Sequence, residues 1–279
     1  MRPTLVTGVT GLLGPYLIET MTSRGKVVGT GGRGGEIPCD LTDARATRRM
    51  VESVDPGIVI HSAALSLVDE CEGNPARAAA LNRDATRNLV SALAPDTKLV
   101  AISTDQVYAD TDGPHPEDNT GPVNTYGLSK LDSEREAMAH PGALIVRTNF
   151  FGPSRTPGRQ SLSDWIAANL AERHPITLFL DSLYSPLQMD TVAALIAEAL
   201  DRNLSGIFNF GSRAGMSKRD FGFAVARRLG LATDSAASGY ARDIPGRARR
   251  ARDLRMDVSR LESALGRRLP TLREEIDRL

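Results

Sequence analysis

The chain has 279 residues, 41% hydrophobic and 24% charged, with 34 basic residues balancing 34 acidic ones. This composition belongs to an ordinary globular protein and excludes a disordered chain, while the charge balance excludes attachment to nucleic acid through overall charge. The length allows one large domain or two unequal ones around a sizeable core.

In chain order, residues 4–7 form a short apolar run bounded by glycine, and Leu12, Leu13, Leu17, Ile18 and Met21 recur behind it at helical spacing. Residues 26–30 predict a second strand, ended by Gly31-Gly32-Arg33-Gly34-Gly35. A helix over 44–54 and a buried strand over 57–61 follow. Asn74-Pro75 supplies the cap and first turn of one long helix over 74–93. A strand over 98–103, a helix over 126–140 and a strand over 143–147 continue the alternation. Strands and helices in this rhythm imply parallel pairing with right-handed crossovers, hence a doubly wound, Rossmann-type α/β sheet. Beyond 150 the rhythm loosens. Residues 151–160 read as a Gly-, Pro- and Arg-rich loop, and Ser161 opens a helix with its body over 165–173. Residues 190–200 read as a helix, 206–210 as a strand, 217–229 as a helix and 234–252 as an arginine-rich loop. The expected division is a dinucleotide-binding domain over 1–150, to which about 184–203 returns. A smaller, interleaved substrate lobe takes 151–183 and 204–279, leaving a cleft between the two.

Cys39 and Cys71 make neither a disulfide framework nor a metal cluster, and fit a reducing compartment. His61, His115, His140 and His174 show no paired metal spacing, so no metal is expected. No apolar run approaches the roughly 20 residues needed to span a bilayer, and a short strand opens the chain, so a cytoplasmic protein without a membrane partner is expected. Only four of the basic residues are lysines (Lys26, Lys98, Lys130 and Lys218) against 30 arginines. Genome bias accounts for the habit, yet it makes each lysine worth following.

Gly8-Val9-Thr10-Gly11-Leu12-Leu13-Gly14 is a G-x-x-G-x-x-G at a strand-to-helix turn. Residues without Cβ let such a backbone approach a pyrophosphate and present amide groups at the helix N-terminus. At the end of the second strand no carboxylate stands between Val27 and Gly35, whereas Arg33 is present. A carboxylate there would favour NAD and an arginine accommodates the 2′-phosphate of NADP, so NADPH is expected, with NADH the alternative.

Tyr126-Gly127-Leu128-Ser129-Lys130 is a Y-x-x-x-K whose two ends share a helical face. A free phenol, with a pKa of about 10, is a poor acid–base group near neutrality. A neighbouring ammonium lowers it by stabilising the phenolate. Ser103-Thr104-Asp105-Gln106 follows the fourth strand, at the carboxyl edge where such sheets bind ligands.

These motifs resemble the extended short-chain dehydrogenase/reductase family, and the dTDP-4-dehydrorhamnose reductase subfamily most closely. The pieces that carry the resemblance are A-L-S-L-V-D-E-C-E at 64–72, A-L-N-R-D-A-T-R-N-L at 80–89, V-A-I-S-T-D-Q-V-Y-A-D at 100–110, G-P-V-N-T-Y-G-L-S-K at 121–130 and R-T-N-F-F-G at 147–152. Coverage is nearly full length, and looser after 152. The resemblance implies that Gly8, Thr10, Gly11, Leu12, Leu13, Gly14 and Arg33 surround the cofactor phosphates. Asp40 and Leu41 would lie at the adenine, and Ser62, Ala63, Ala64, Asn82, Ser103, Asn149, Tyr126 and Lys130 beside the rest of the cofactor. It implies a catalytic set of Thr104, Tyr126, Lys130 and Asp105, with Ser66, Thr104, Asp105, Gln106, Phe150, Phe151 and Arg249 along the substrate. The segment over 147–152 would line the cleft.

Related dehydratases resemble S-T-D-E, with a glutamate removing a proton; Gln106 is an amide here and has no basic form. The expectation is therefore a reductase of a nucleotide-activated keto-sugar (dTDP-4-keto-6-deoxyhexose type), with hydride transfer to C4 and Tyr126 as proton donor. A diphosphate calls for cations, and Arg155, Arg159, Arg249, Arg250 and Arg252 are candidates. The segment Tyr184-Ser185-Pro186-Leu187 and the loop over 150–160 depart from the reductase pattern and point to an atypical substrate. Two alternatives stay open: a catalytically silent regulatory subunit, like that of methionine adenosyltransferase, or a sugar-nucleotide epimerase. A homodimer is a further expectation of the resemblance.

Overall fold

Each strand of the main sheet is covered on both faces, which is why these short runs are apolar almost throughout. The computed structural model describes residues 2–32 and 34–279. It places β1 at Thr4–Thr7, α1 at Gly14–Thr22, β2 at Val27–Thr30, α2 at Ala44–Val54, β3 at Ile58–His61 and α3 at Val68–Gly73. A continuous helical rod follows, made of α4 (Pro75–Ala78), a π-helical stretch at Ala79–Asp84 and α5 (Ala85–Ala92). Then come β4 (Lys98–Thr104), α6 (Thr125–Met138), β5 (Leu144–Thr148) and β6 (Phe150–Phe151). The rest is α7 (Leu162–Ala171), β7 (Ile176–Phe179), β8 (Leu183–Tyr184), β9 (Leu187–Gln188), α8 (Met189–Asp201), β10 (Gly206–Phe210), β11 (Met216–Ser217), α9 (Lys218–Leu229), β12 (Ala236–Gly239), β13 (Asp253–Leu254), α10 (Ser259–Leu265) and α11 (Leu272–Ile276).

The main sheet has six strands in the order β10-β5-β4-β3-β1-β2, every pair parallel. Side chains alternate across it. Leu5, Val59, Leu99 and Ile145 meet Met50, Val51 and Leu89 on one face, where α2 and α5 lie. Val6, Ile60, Val100 and Val146 meet Leu17, Met21, Val192 and Ile196 on the other, where α1 and α8 lie. The direction of winding reverses between β1 and β3, so the loops leaving their carboxyl ends diverge and open a crevice.

Several elements differ from expectation. The rod over 74–93 carries a π-helical stretch, where a residue more per turn lets Asn82 turn inward, buried at 1% exposure. Asn74 does cap it, accepting from the Arg77 amide at 3.0 Å. The helix α3 had no periodic signal, since only Cys71 of its six residues is buried. Gly206–Phe210, expected in the smaller lobe, is the outer strand of the main sheet beside β5. Five residues carry no label for a sheet; their register against Leu144–Thr148, with Phe208 and Phe210 buried, decides it.

The remaining elements form a smaller layer over the carboxyl edge. There β12 pairs with β7, and β8 lies between β11 and β13. Its core is aromatic: Phe221 meets Phe151 and Tyr184 edge to face, at centroid separations of 5.0 and 5.5 Å. Ser161 and Asp164 form a capping box at the start of α7. Among the described residues no helix is long and apolar enough to cross a membrane.

Of the segment 147–152 expected along the cleft, Thr148, Asn149 and Phe150 reach it, whereas Arg147 is buried behind it. Its guanidinium is paired with the Glu134 carboxylate through Nη2–Oε2 at 2.7 Å and Nε–Oε1 at 2.9 Å, with both side chains almost fully buried. Glu134 also accepts from the Ser103 hydroxyl, and Arg147 donates to Tyr108 at 3.3 Å. Removing one partner leaves a buried charge alone, which costs about 3–5 kcal/mol. Arg147→Met should therefore lower the unfolding free energy by about that amount in urea titrations, far more than Arg135→Met, which breaks an exposed pair on α6.

Candidate active site

The glycine loop lies against the loop that follows β3. Gly8 has φ +74°, and a Cβ there would sit 2.6 Å from the Ala63 amide nitrogen. Any other residue would be strained and would push the two loops apart. A Cβ on Gly14 would collide with the Val9 backbone at 2.6–2.7 Å, so this glycine lets α1 start against its own loop. Thr7 ties the loops together, its hydroxyl accepting from the amides of Ser62 and Ala63 at 3.2 and 3.1 Å.

These loops form one end of a cavity of about 520 Å³, well within the range of small-molecule sites. Gly8, Thr10, Gly11, Asp40, Leu41, Ser62, Ala63, Ala64, Ser66, Ser103, Thr104, Asp105, Gln106, Tyr126, Lys130, Asn149 and Phe150 all line it. Asp40 faces the cavity while one of its oxygens takes the Thr42 amide and hydroxyl at 2.9 and 2.7 Å; the cap of α2 is Asp43.

Other candidates lie elsewhere. Leu12 and Leu13 pack into the core. Asn82 sits beneath the wall, where it bonds both backbone groups of Leu65 at 2.8 and 3.1 Å and the Ser129 hydroxyl at 2.8 Å. It shapes the wall rather than forming it. Phe151 is fully buried against Phe221. Arg249 is exposed and pairs with Asp110 at 2.9 Å, on a neighbouring cavity of about 360 Å³. Of the other arginines, Arg155 pairs with Glu19 and Arg252 with Asp110, whereas Arg159 and Arg250 reach the main cavity. Arg33 lies outside the described residues. Cys39, Val68, Leu81 and Lys218 line the wall without having been singled out for it. The apolar three had no signal in the sequence; Lys218 had one, the scarcity of lysine.

The chemistry concentrates at the end of β4 and the start of α6. Asn124 caps α6 by accepting from the Gly127 amide at 2.8 Å, and a Cβ on Gly127 would overlap the Gln106 carbonyl. This brings Tyr126 against the β4 end, with the Thr104 hydroxyl beside its phenol. Burial raises the Tyr126 pKa well above the usual phenol value, and Thr104 only partly opposes it. The lowering expected from Lys130 is absent for a physical reason. Burial brings Lys130 itself down to about 8, so its charge is gone before the phenol ionises. Its ammonium donates to the Ile102 carbonyl at 2.8 Å, and Glu134, one turn on, favours its charge.

Asp105 is fully buried, and burial raises its pKa although Asn149 donates to it at 2.7 Å and Thr104 at 3.2 Å. His61 stands between Thr7 at 2.8 Å and Thr86 at 3.0 Å; burial, then the Lys130 charge, push it down to about 3, so the imidazole is neutral. Among the described residues no group of three His, Cys, Asp or Glu side chains is arranged to hold a metal.

A parallel sheet with a glycine cradle at its switch point and a Thr-Tyr-Lys set at the next strand end defines an oxidoreductase of the extended short-chain dehydrogenase/reductase class. Within that class, the family model described as "RmlD substrate binding domain" matches residues 1–279, and the chain belongs to that family. It is 33% identical, over 97% of this chain and 95% of the other, to a probable low-salt glycan biosynthesis reductase of Haloferax volcanii. It is 29% identical to the methionine adenosyltransferase 2 subunit beta of Danio rerio, over 94% and 84% of the two chains. The solved structure of dTDP-4-dehydrorhamnose reductase from Bacillus anthracis in complex with NADP superposes with a TM-score of 0.90 at 22% identity, over 99% and 98% of the chains.

The Lys130 charge sets a checkable stability profile. In the unfolded chain its pKa returns to about 10.5, so between pH 8 and 10.5 the unfolded state binds the proton that the folded state has released. Stability of the wild type relative to Lys130→Met should therefore rise across that window, read as the difference in urea midpoints at pH 7.5 and 10.

Proposed function

We propose that the chain is an NADPH-dependent reductase of a nucleotide-activated 4-keto-6-deoxy sugar, of the dTDP-4-keto-6-deoxyhexose type. The observation that carries this is the convergence of Thr104, Tyr126 and Lys130 on one cavity with the glycine cradle, while Gln106 occupies the place of an eliminating base. The cradle suits a dinucleotide: Gly8, Thr10 and Gly11 line the cavity at the turn just before α1, where backbone amides would hold a pyrophosphate. Ser62, Ala63, Asp40 and Lys130 would hold the remainder, and the bound dinucleotide supplies hydride.

The chain's own residues supply a proton and orientation. Thr104 holds the substrate carbonyl oxygen beside Tyr126. A donor must keep its proton until that oxygen becomes strongly basic, and a phenol raised by burial is protonated throughout the neutral range. Once Tyr126 has given its proton up, the Lys130 ammonium, charged below about pH 8, stabilises the phenolate left behind. Arg159 and Arg250 offer cations for the diphosphate, Arg250 being held by Asp69 at 2.8 Å.

The second reading, a cofactor-binding subunit without turnover, draws on the likeness to the methionine adenosyltransferase subunit. One assay separates the two: loss of reduced-nicotinamide absorbance with a dTDP-4-keto-6-deoxyhexose. Turnover is expected, and Tyr126→Phe should reduce it by about 10²–10⁴-fold while calorimetry shows NADPH affinity nearly intact. Tight NADPH binding with no oxidation by any 4-keto sugar would instead support the subunit. Retained activity in Tyr126→Phe would remove that residue from its role.

A further inference from the structure

Lys26 and Lys98 are exposed, Lys130 belongs to the Tyr–Lys pair, and Lys218 remains. Its place is set by backbone that the reaction does not use. Met216–Ser217 pairs antiparallel with Leu183–Tyr184, and Ser217 caps α9 by accepting from the Asp220 amide at 3.0 Å. Lys218 is thus the first residue of α9, half-buried, on the cavity wall.

The surrounding field opposes a cation there. The N-terminus of a helix repels positive charge, and Arg247 and Arg250 add to the repulsion. Among the described residues the ammonium makes no hydrogen bond and no ion pair within 4 Å. Its Nζ stands over the Tyr184 ring, 5.6 Å from the centroid, and the buried Tyr184 hydroxyl itself has no partner. Asp105 is the one acid that draws on the Lys218 charge, from beyond ion-pair distance. Both residues line the same cavity. One side chain away, Thr104 donates to Asp105 at 3.2 Å and stands beside the Tyr126 phenol.

We propose that Lys218 and Asp105 together grip the sugar hydroxyl on the carbon next to the reacting carbonyl, the ammonium donating to its oxygen and the hydroxyl donating to the carboxylate. This rests on the reductase reading. It makes Lys218 a specificity-determining residue, and the substrate class an α-hydroxy ketone sugar rather than its deoxygenated counterpart. A hydroxyl suits the pair because it donates and accepts at once. The Tyr184 ring supports the ammonium from below, so the segment that departs from the reductase pattern becomes part of the specificity device.

The test compares kcat/KM for dTDP-4-keto-6-deoxyhexose and its 3-deoxy analogue, in wild type and Lys218→Met, with calorimetric NADPH affinity as the control for folding. Wild type should prefer the hydroxylated sugar by about 10- to 100-fold, the worth of hydrogen bonds to charged groups. Lys218→Met should reduce that preference to about threefold or less, since an uncharged chain of similar length makes no such bond. Lys218→Gln, which keeps a neutral donor, should fall between, and serves if the methionine variant loses NADPH binding. Combining Lys218→Met with Asp105→Asn should cost less than the sum of the two, because both act on one hydroxyl. A preference unchanged in the lysine variants, or a wild type that turns over both sugars equally, overturns the Lys218 assignment alone. A wild type that oxidises NADPH with neither sugar overturns the reductase reading, and this assignment with it.

Discussion

The pairing of Glu134 with Arg147 is the constraint on which the site depends. It joins α6 to β5 where both side chains are almost fully buried, and through Ser103 and Tyr108 it reaches both ends of the turn after β4. A buried ion pair brings little net stability over an apolar replacement, but it tolerates only one arrangement of helix and strand. That arrangement places Tyr126 beside Thr104 and turns Lys130 onto the Ile102 carbonyl. It also puts a carboxylate one turn from Lys130, where it favours the charge that burial opposes. Fold and catalytic geometry are therefore one network rather than a scaffold with a site added.

Desolvation sets the character of the cavity. Tyr126 and Asp105 are raised by burial, while Lys130, Lys218 and His61 are lowered by it. Every one of these groups is pushed toward its neutral form by the same cause. Opposite charges placed nearby decide how far each goes. Lys130 has Glu134 to favour its charge, Lys218 has Asp105, and His61 has a cation that drives it further down. Groups held away from their preferred protonation state are poised to respond when a ligand supplies the missing partner. The arginines around the cavity behave differently. Most are tied to surface carboxylates, as Arg249 and Arg252 are to Asp110, and they shape the rim through these pairs.

Local pattern reached much of this. The parallel α/β class, the glycine cradle, the Asn74 cap and the Y-x-x-x-K face were legible because each depends on residues within about one turn or one strand of each other. Even so, two kinds of error recur. Residues next to a motif do not all share its role: Leu12, Leu13 and Phe151 point into the core and Arg147 is paired behind the wall. Alternation of side chains around a turn separates neighbours in sequence onto opposite faces, and local pattern does not say which face a ligand meets. The other kind concerns partners distant in sequence. Asn82 turned out to support Leu65 across 17 positions, and the strand over 206–210 found its place only by register with β5.

The amino-acid sequence by itself determined the fold class, the position of the phosphate cradle and the identity of the Tyr–Lys pair, since backbone freedom at glycine and helical periodicity are local properties. It also singled out lysine as a rare residue, which genome bias explains for the arginines but not for the two lysines that reach the cavity. Tertiary structure alone decided which residues share that cavity, how their protonation shifts, and that Lys218, 113 positions from Asp105, lines the same cavity. Burial and charge proximity are sums over everything packed nearby, and no window of sequence contains them.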